Sequence, residues 1–259
     1  MWEKFRCYAD SHFQTELKTN FYQRTWEMYV GNVLLEKKLE IQSKKSKNEG
    51  PDFVIDEIAY IECVAPTKGD PTKADSVTEP FEADTLDEIK FQELPVDKII
   101  LRITQAIKGK QDQYNKWKCK NWFNEKLPFI IAVNISALGY SESSSIPYVL
   151  KALFGIQHEQ INIKTGEISV SIRSEITKSS GKLVPVNCFK STDFEFVSGV
   201  LYSNKRVLNH PENIGEDCIF VNNPFAVNPV DESFVKLFKN WTAVKNNDEI
   251  IIKKNYQPQ

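Results

Sequence analysis

Two acidic residues beside short apolar runs are the first candidates for chemistry. Asp52 precedes the run at residues 53–55, and Glu62 lies inside the run at residues 58–64. Acids on two neighbouring strands can share a divalent cation, because hard cations such as Mg²⁺ prefer carboxylate oxygens. Such a cation can act as a Lewis acid on a phosphoester and activate water. The pair therefore indicates metal-assisted hydrolysis as one chemistry open to this chain.

The pairing register of the two strands decides whether these acids meet. Side chains alternate between the two faces of a sheet, so a slip of one residue moves a side chain to the other face. A three-residue loop would place Asp52 opposite Glu62, whereas a two-residue loop would place them on opposite faces. The sequence leaves both arrangements open.

A lysine in an apolar helical stripe is the next candidate. We predict a helix over residues 98–119, with Asp97 as its N-cap. At 100° per residue, Lys110 lies about 20° from the centre of the apolar stripe. A lysine there carries a desolvation cost unless an anion accompanies it. The paired carboxylates with a phosphate would supply that anion, whereas fraying at Gly109 would release Lys110 to solvent.

Four further polar residues lie on the two predicted helices. Arg102 and Gln113 share one flank of the second helix, where they could touch a phosphate oxygen or simply face solvent. Glu27 lies in an apolar segment, residues 12–42, that is predicted to be one long helix or a broken pair. Glu27 could support a metal-bound water or pair with Arg24, and Arg24 is also a candidate contact for nucleic acid.

The other predicted elements follow from apolar periodicity and turn residues. They are a surface loop at 67–95, a buried strand at 127–133, a short helix at 148–154, a hairpin turning at 165–166, strands at 194–202 and 218–221, a helix at 231–241 and a closing tail at 249–255.

Composition narrows the class of protein. The chain has 259 residues, of which 41% are apolar and 26% charged, the balance of a soluble globular protein. Its net charge of −2 gives no overall basic field, which favours a local groove over broad wrapping of nucleic acid. Five scattered cysteines without a CxxC pair indicate a reducing cytoplasm and no structural zinc. No apolar run reaches the roughly twenty residues of a membrane span, so we expect no membrane association.

Several segments in one order resemble a known family. They are QRTWEMYVGNVLL, GPDFVI, YIECVAPTKG, ILRITQAIKGKQDQYNKW and LPFIIAVN. Together, over residues 20–135, they resemble the PD-(D/E)XK superfamily of restriction-endonuclease-like nucleases. The resemblance implies an α/β fold with a core of helix, β-meander, helix and strand, built on a mixed central sheet flanked by helices. Residues 1–140 would form that core, and residues 141–259 a mainly β extension packed on it as one compact unit.

The resemblance also implies a set of site residues. The pair Pro51-Asp52 matches the PD motif literally. Glu27, Asp52 and Glu62 would bind Mg²⁺ or Mn²⁺, and the backbone carbonyl of Cys63 would be a further ligand. The implied activity is that of an endonuclease that leaves a 5′-phosphate and a 3′-hydroxyl. DNA is the expected polymer, and restriction or phage defence the expected setting.

One departure from the family pattern keeps other functions open. Val64 stands where the family has a lysine, and Lys110 on the following helix would replace it. The main alternative is a catalytically degenerate nuclease fold that binds nucleic acid or protein, and a weaker one is a hydrolase of small phosphoesters. Whether two copies pair as a homodimer to cut both strands is also left open.

Overall fold

The computed structural model describes residues 1–42, 49–81, 91–142, 145–161, 163–166, 168–247 and 249–255. The helices in these ranges are α1 Trp2–Phe5, α2 Phe13–Glu16, α3 Phe21–Glu36, α4 Val96–Trp117, α5 Tyr148–Phe154 and α6 Glu232–Val235. The strands are β1 Phe53–Ile55, β2 Ala59–Val64, β3 Phe129–Asn134, β4 Ile156–Ile161, β5 Ile168–Ile172, β6 Glu175–Thr177, β7 Leu183–Pro185, β8 Gly199–Ser203, β9 Ile219–Asn222, β10 Lys239–Asn246 and β11 Glu249–Lys254.

A mixed seven-stranded sheet is the centre of the fold. Its order is β1-β2-β3-β8-β9-β10-β11. The neighbours β2, β3 and β8 run parallel, as do β9 and β10, and the remaining pairs are antiparallel. The hairpins β4–β5 and β6–β7 form two small separate sheets. The chain therefore has an α/β fold, and strands from both sides of residue 140 belong to one sheet.

The central strand β3 is buried along its whole length. Ile131 and Val133 pack in one apolar cluster with residues of α4 and α5, whereas Ile130 and Ala132 pack in a second cluster with residues of α3. A strand in a parallel region that is covered on both faces needs a continuous apolar sequence, which explains the run at 129–133. Helices α3 and α4 thus lie on opposite faces of the sheet.

Side chains of β2 alternate between the two faces of the sheet, so each faces either α3 or α4. Tyr60 and Val64 contact the cluster of α4, whereas Ile61 and Cys63 belong to the cluster of α3. Since Glu62 shares the parity of Tyr60 and Val64, its carboxylate faces α4.

The first half of the chain confirms one prediction and corrects another. The segment at 12–42 adopts the second of its two predicted arrangements, a broken pair of helices, α2 and α3. Helix α4 begins at Val96, so Asp97 lies in its first turn and is not the N-cap. Asp97 instead accepts a hydrogen bond from Arg173 Nη1 at 3.1 Å, and an acid in the first turn also suits the helix dipole.

The second half corrects three more. The helix predicted at 231–241 is limited to α6, because residues from Lys239 onward pair with β9 and β11. Phe234 and Phe238 have helical spacing but pack on Phe220 of β9. The predicted tail at 249–255 is mostly the strand β11. The strand predicted at 194–202 begins only at Gly199, after a 3₁₀ turn.

Two other predicted elements are confirmed. Helix α5 has the predicted bounds, and β4–β5 is the predicted hairpin. No helix in the described ranges combines the length and the apolarity that crossing a bilayer requires.

Candidate functional site

The turn between β1 and β2 sets the register of the candidate acids. The pairs Phe53↔Ile61 and Ile55↔Ala59 leave residues 56–58 as a three-residue turn. Glu57 takes a positive φ of 51° there, and Ile58 N donates to Ile55 O at 3.0 Å. Continuing this register by one residue places Asp52 opposite Glu62, so the three-residue alternative is the one adopted.

Hydrogen bonds join Asp52 and Glu62 across the two strands. The backbone N–H of Asp52 donates to Glu62 Oε2 at 3.1 Å. The backbone N–H of Cys63 donates to Asp52 Oδ2 at 2.8 Å. Each acid is thus oriented by the backbone of the opposite strand, a rigid support for a functional pair.

Lys110 approaches this pair from α4. Its Nζ donates to Glu62 Oε1 at 3.0 Å, and the two side chains are only 14% and 6% exposed. Helix α4 continues through Gly109 to Trp117, so the fraying that would release Lys110 does not occur. The apolar phase of the helix therefore locates this lysine correctly.

Val64 follows Glu62 on the same face of β2 and carries no charge to the site. It is partly buried against the apolar cluster of α4. The ammonium beside Glu62 comes from the helix and not from the strand. Lys110 of α4 therefore provides, on the face of β2 that Glu62 and Val64 share, a positive charge that Val64 cannot provide.

Gln23 of α3 is a site residue that the sequence reasoning missed. Its Nε2 donates to the carbonyl of Cys63 at 3.0 Å, and its Oε1 accepts from the N–H of Ala65 at 2.9 Å. Strand β1 begins opposite Ile61 and does not reach Cys63. The carboxamide of Gln23 therefore makes the two backbone hydrogen bonds that a neighbouring strand would otherwise make. The Cys63 carbonyl proposed as a metal ligand therefore already accepts one hydrogen bond.

The thiol of Cys63 faces α3 and is fully buried. Burial raises the pKa of this thiol, the carboxylates of Asp52, Glu27 and Glu62 raise it further, and Lys110 lowers it. The thiol stays protonated, which excludes a thiolate nucleophile here.

Glu27 is paired with Arg24. Glu27 Oε2 accepts from Arg24 Nη1 at 2.7 Å, and the Glu27 side chain is 3% exposed. The same guanidinium also binds Asp10 and Glu16. Burial disfavours its charge, but the three carboxylates more than compensate, so the pKa of Arg24 is raised. Arg24 is thus occupied inside the protein, in contrast to its predicted contact with nucleic acid.

Arg102 and Gln113 do not form one phosphate contact. They share a flank of α4, but eleven residues of helix separate them by roughly 16 Å. Arg102 is held by Thr67, whose carbonyl accepts from Nε at 2.6 Å. Gln113 Oε1 is buried without a hydrogen-bond partner among the described residues. The separation along the helix axis argues against one shared phosphate contact, and a contact of either residue with nucleic acid stays a prediction.

Asp52 and Glu62 provide two carboxylates for Mg²⁺, and no third acid joins them in a metal-binding group within the described ranges. Across the described ranges, no three His, Cys, Asp or Glu residues form a group able to hold a metal. Glu27, Asp52 and Glu62 thus do not form such a group, and the metal role of Glu27 stays a prediction. Mg²⁺ usually binds through one or two carboxylates and keeps several waters. Two backbone-oriented carboxylates match that habit without a third acid.

Comparison of the chain with models of protein families, with curated proteins and with solved structures found no match.

Proposed function

We propose that this chain is a nuclease dependent on Mg²⁺ or Mn²⁺ that hydrolyses phosphodiester bonds of nucleic acid, with DNA as the favoured polymer. The observation that carries the proposal is the cluster of Asp52, Glu62 and Lys110 on a rigid hairpin and helix. Paired carboxylates can hold a metal ion that activates water, and a neighbouring lysine can stabilise charge on a phosphate, so the cluster suits phosphodiester hydrolysis.

The order of elements supports a restriction-endonuclease-like core within this fold. Helix α3 is followed by the β1–β2 hairpin, by α4 and by β3, which pairs parallel with β2. Ile41 forms an antiparallel bridge with Ile55 of β1. That bridge occupies the place of the first strand of a three-strand meander.

Each residue of the cluster has a distinct proposed role. When bound, the cation supplies the Lewis acid that activates water and polarises the phosphate. Asp52 and Glu62 would hold it through carboxylate oxygens. Lys110 would bind a phosphate oxygen and stabilise the negative charge that grows there during hydrolysis. The contact with Glu62 keeps the ammonium positioned for that task.

A second candidate function rests on a different observation. Glu62 Oε1 accepts from Lys110 and Oε2 accepts from the N–H of Asp52, so protein donors already satisfy both oxygens. A nuclease fold that has lost its metal would retain such an ion pair as a structural element. In that case the chain would bind nucleic acid or protein without cutting.

The deciding experiment is cleavage of labelled DNA and RNA in Mg²⁺, in Mn²⁺ and in EDTA, by the native chain and by Asp52→Asn. The isosteric amide can still accept from Cys63 N, so the fold is preserved while a metal ligand is lost. Asp56→Asn, an exposed acid of the same hairpin, is the matched control. We expect metal-dependent cutting that only Asp52→Asn abolishes.

Calorimetric titration with Mg²⁺ separates the two candidates. A nuclease site should bind Mg²⁺ in the native chain and in Asp56→Asn but not in Asp52→Asn. Equal cutting by Asp52→Asn would refute the assignment of the site. Absence of both cutting and metal binding would favour the second candidate.

A further inference from the structure

The carboxyl ends of β2, β3 and β8 lie along one edge of the sheet, because these strands are parallel neighbours. Ligands of open α/β sheets bind outside the carboxyl ends of the strands. The next residues on this edge are Asn134 at the end of β3 and the segment 204–208 after β8. They face the first turns of α3.

A small pocket lies between α3 and that segment. Its volume is about 100 Å³, well below the roughly 300–1,000 Å³ of a site for a whole small molecule. It can therefore take one part of a larger ligand. The lining residues that matter here are Phe21, Tyr22, Trp26, Asn134, Lys205 and Arg206.

Exposed apolar groups rim the pocket. Phe21 is 48% exposed, and Leu208 is 82% exposed. The ring of Tyr22 meets the ring of Phe21 edge-on, with centroids 5.7 Å apart. The arrangement leaves part of the Phe21 ring open to solvent. An open aromatic ring is a platform on which an unpaired base can stack.

Positive charge accompanies the rings. Lys205 and Arg206 are both exposed, and neither forms an ion pair with a described residue. The buried carboxylate of Glu142 attracts Lys205, which leaves Arg206 as the less engaged of the two. The first turn of α3 contains no acidic residue, so its partial positive charge is not offset there.

The strand register gives the offset between the pocket and the candidate acids along the sheet. Glu62 is level with Ile131 of β3, and Asn134 lies three residues further along that strand. At about 3.3 Å per residue, the pocket is roughly 10 Å beyond Glu62 in the strand direction. The pocket lies on the α3 side of the sheet, whereas the carboxylate of Glu62 faces α4. A polymer held at Asp52 and Glu62 would reach the pocket by passing over this edge of the sheet.

We propose that this pocket binds a base of single-stranded DNA, with Phe21 stacking on the base and Arg206 binding the adjacent phosphate. The inference rests on the proposed function, because it names single-stranded DNA as the class of substrate for the proposed nuclease. A duplex would not provide the unstacked base that an exposed ring requires.

The test is fluorescence anisotropy of a labelled twelve-nucleotide oligo-dT in EDTA, where no cleavage occurs. Phe21→Ala should weaken binding about tenfold or more, the range for loss of one stacking ring. Arg206→Ala should lower the slope of log affinity against log salt by about 0.7. The matched controls Phe91→Ala and Arg6→Ala remove an exposed ring and an exposed guanidinium elsewhere, and they should bind as the native chain does.

Three outcomes would overturn the inference. They are undetectable binding by the native chain, equal effects of the site variants and their controls, and equal competition by a duplex of the same length. Asp52→Asn should still bind the oligonucleotide, because the pocket does not include Asp52. Binding without any cleavage would therefore retain the pocket and reject the nuclease, and cleavage without the Phe21 effect would do the reverse.

Discussion

Replacing Lys110 with methionine removes the ammonium from the acid pair and leaves the packing of α4 nearly unchanged. The native contact joins Lys110 Nζ and Glu62 Oε1 at 3.0 Å, with side chains 14% and 6% exposed. In Lys110→Met, Glu62 remains as a buried carboxylate beside Asp52. Removal of one partner from a buried ion pair costs about 3–5 kcal/mol.

The lower end of that range applies here, because the N–H of Asp52 still donates to Glu62. We expect Lys110→Met to lose about 3 kcal/mol of unfolding free energy, because the remaining carboxylate keeps one donor. At about 2–4 °C per kcal/mol for a chain near this size, Tm should fall by about 6–12 °C. Cleavage should fall by about 10²–10³-fold, the usual cost of losing one electrostatic stabiliser.

Urea unfolding and thermal melts measure the stability effect. Lys108→Met, an exposed lysine two residues earlier on α4, is the control and should change stability by less than about 0.5 kcal/mol. The double variant Lys110→Met with Glu62→Gln should recover about 1 kcal/mol or more relative to the sum of the single variants. Equal effects of Lys108→Met and Lys110→Met, with no coupling to Glu62, would refute the buried ion pair.

Three other predictions concern the supports of the site and the pH dependence of the fold. Gln23→Ala should cost about 1–3 kcal/mol in urea unfolding, because the carbonyl of Cys63 in β2 and the N–H of Ala65 just after β2 lose their partner; an unchanged midpoint would contradict this. Arg24→Met should cost about 3–5 kcal/mol, since it leaves Glu27 buried without its cation, and adding Glu27→Gln should restore part of the loss in the same assay. Burial raises the pKa of Glu142 although Tyr202 and the N–H of Tyr148 donate to it, so the folded chain keeps this proton where the unfolded chain has lost it. Its contribution to stability should therefore fall as pH rises above about 4.3, and melts of Glu142→Gln across pH should lack this slope.

The site was predictable where local rules suffice. The run of residues 53–64 contains two β-type segments, and only their register was undecided. Lys110 was located by the apolar phase of one helix, since the helix continues without interruption. Both inferences need only the periodicity of a single element.

What was missed depends on contacts between elements. Gln23 lies in no recognisable motif. It bonds the backbone of Cys63 because β1 begins opposite Ile61 and does not reach Cys63. The partner of Glu27 was weighed as Arg24, but the surrounding acids Asp10 and Glu16 come from a separate helix and turn.

The C-terminal error has a similar origin. Apolar spacing at 234–238 indicated a helix, yet residues from Lys239 onward found pairing partners on both sides. The availability of a sheet edge overrode local preference, which periodicity within one segment does not report.

The position of β3 has a consequence for synthesis of the chain. Its two neighbours are β2, from the first quarter of the sequence, and β8, whose first residue is Gly199. Until Gly199–Ser203 has left the ribosome, β3, which is apolar from Phe129 to Val133, lies at an open sheet margin, where it is exposed to pairing with other chains. Assembly across such sequence distances is slow. The nascent chain therefore carries a risk of aggregation from the emergence of β3, in the second half of translation, until β8 docks.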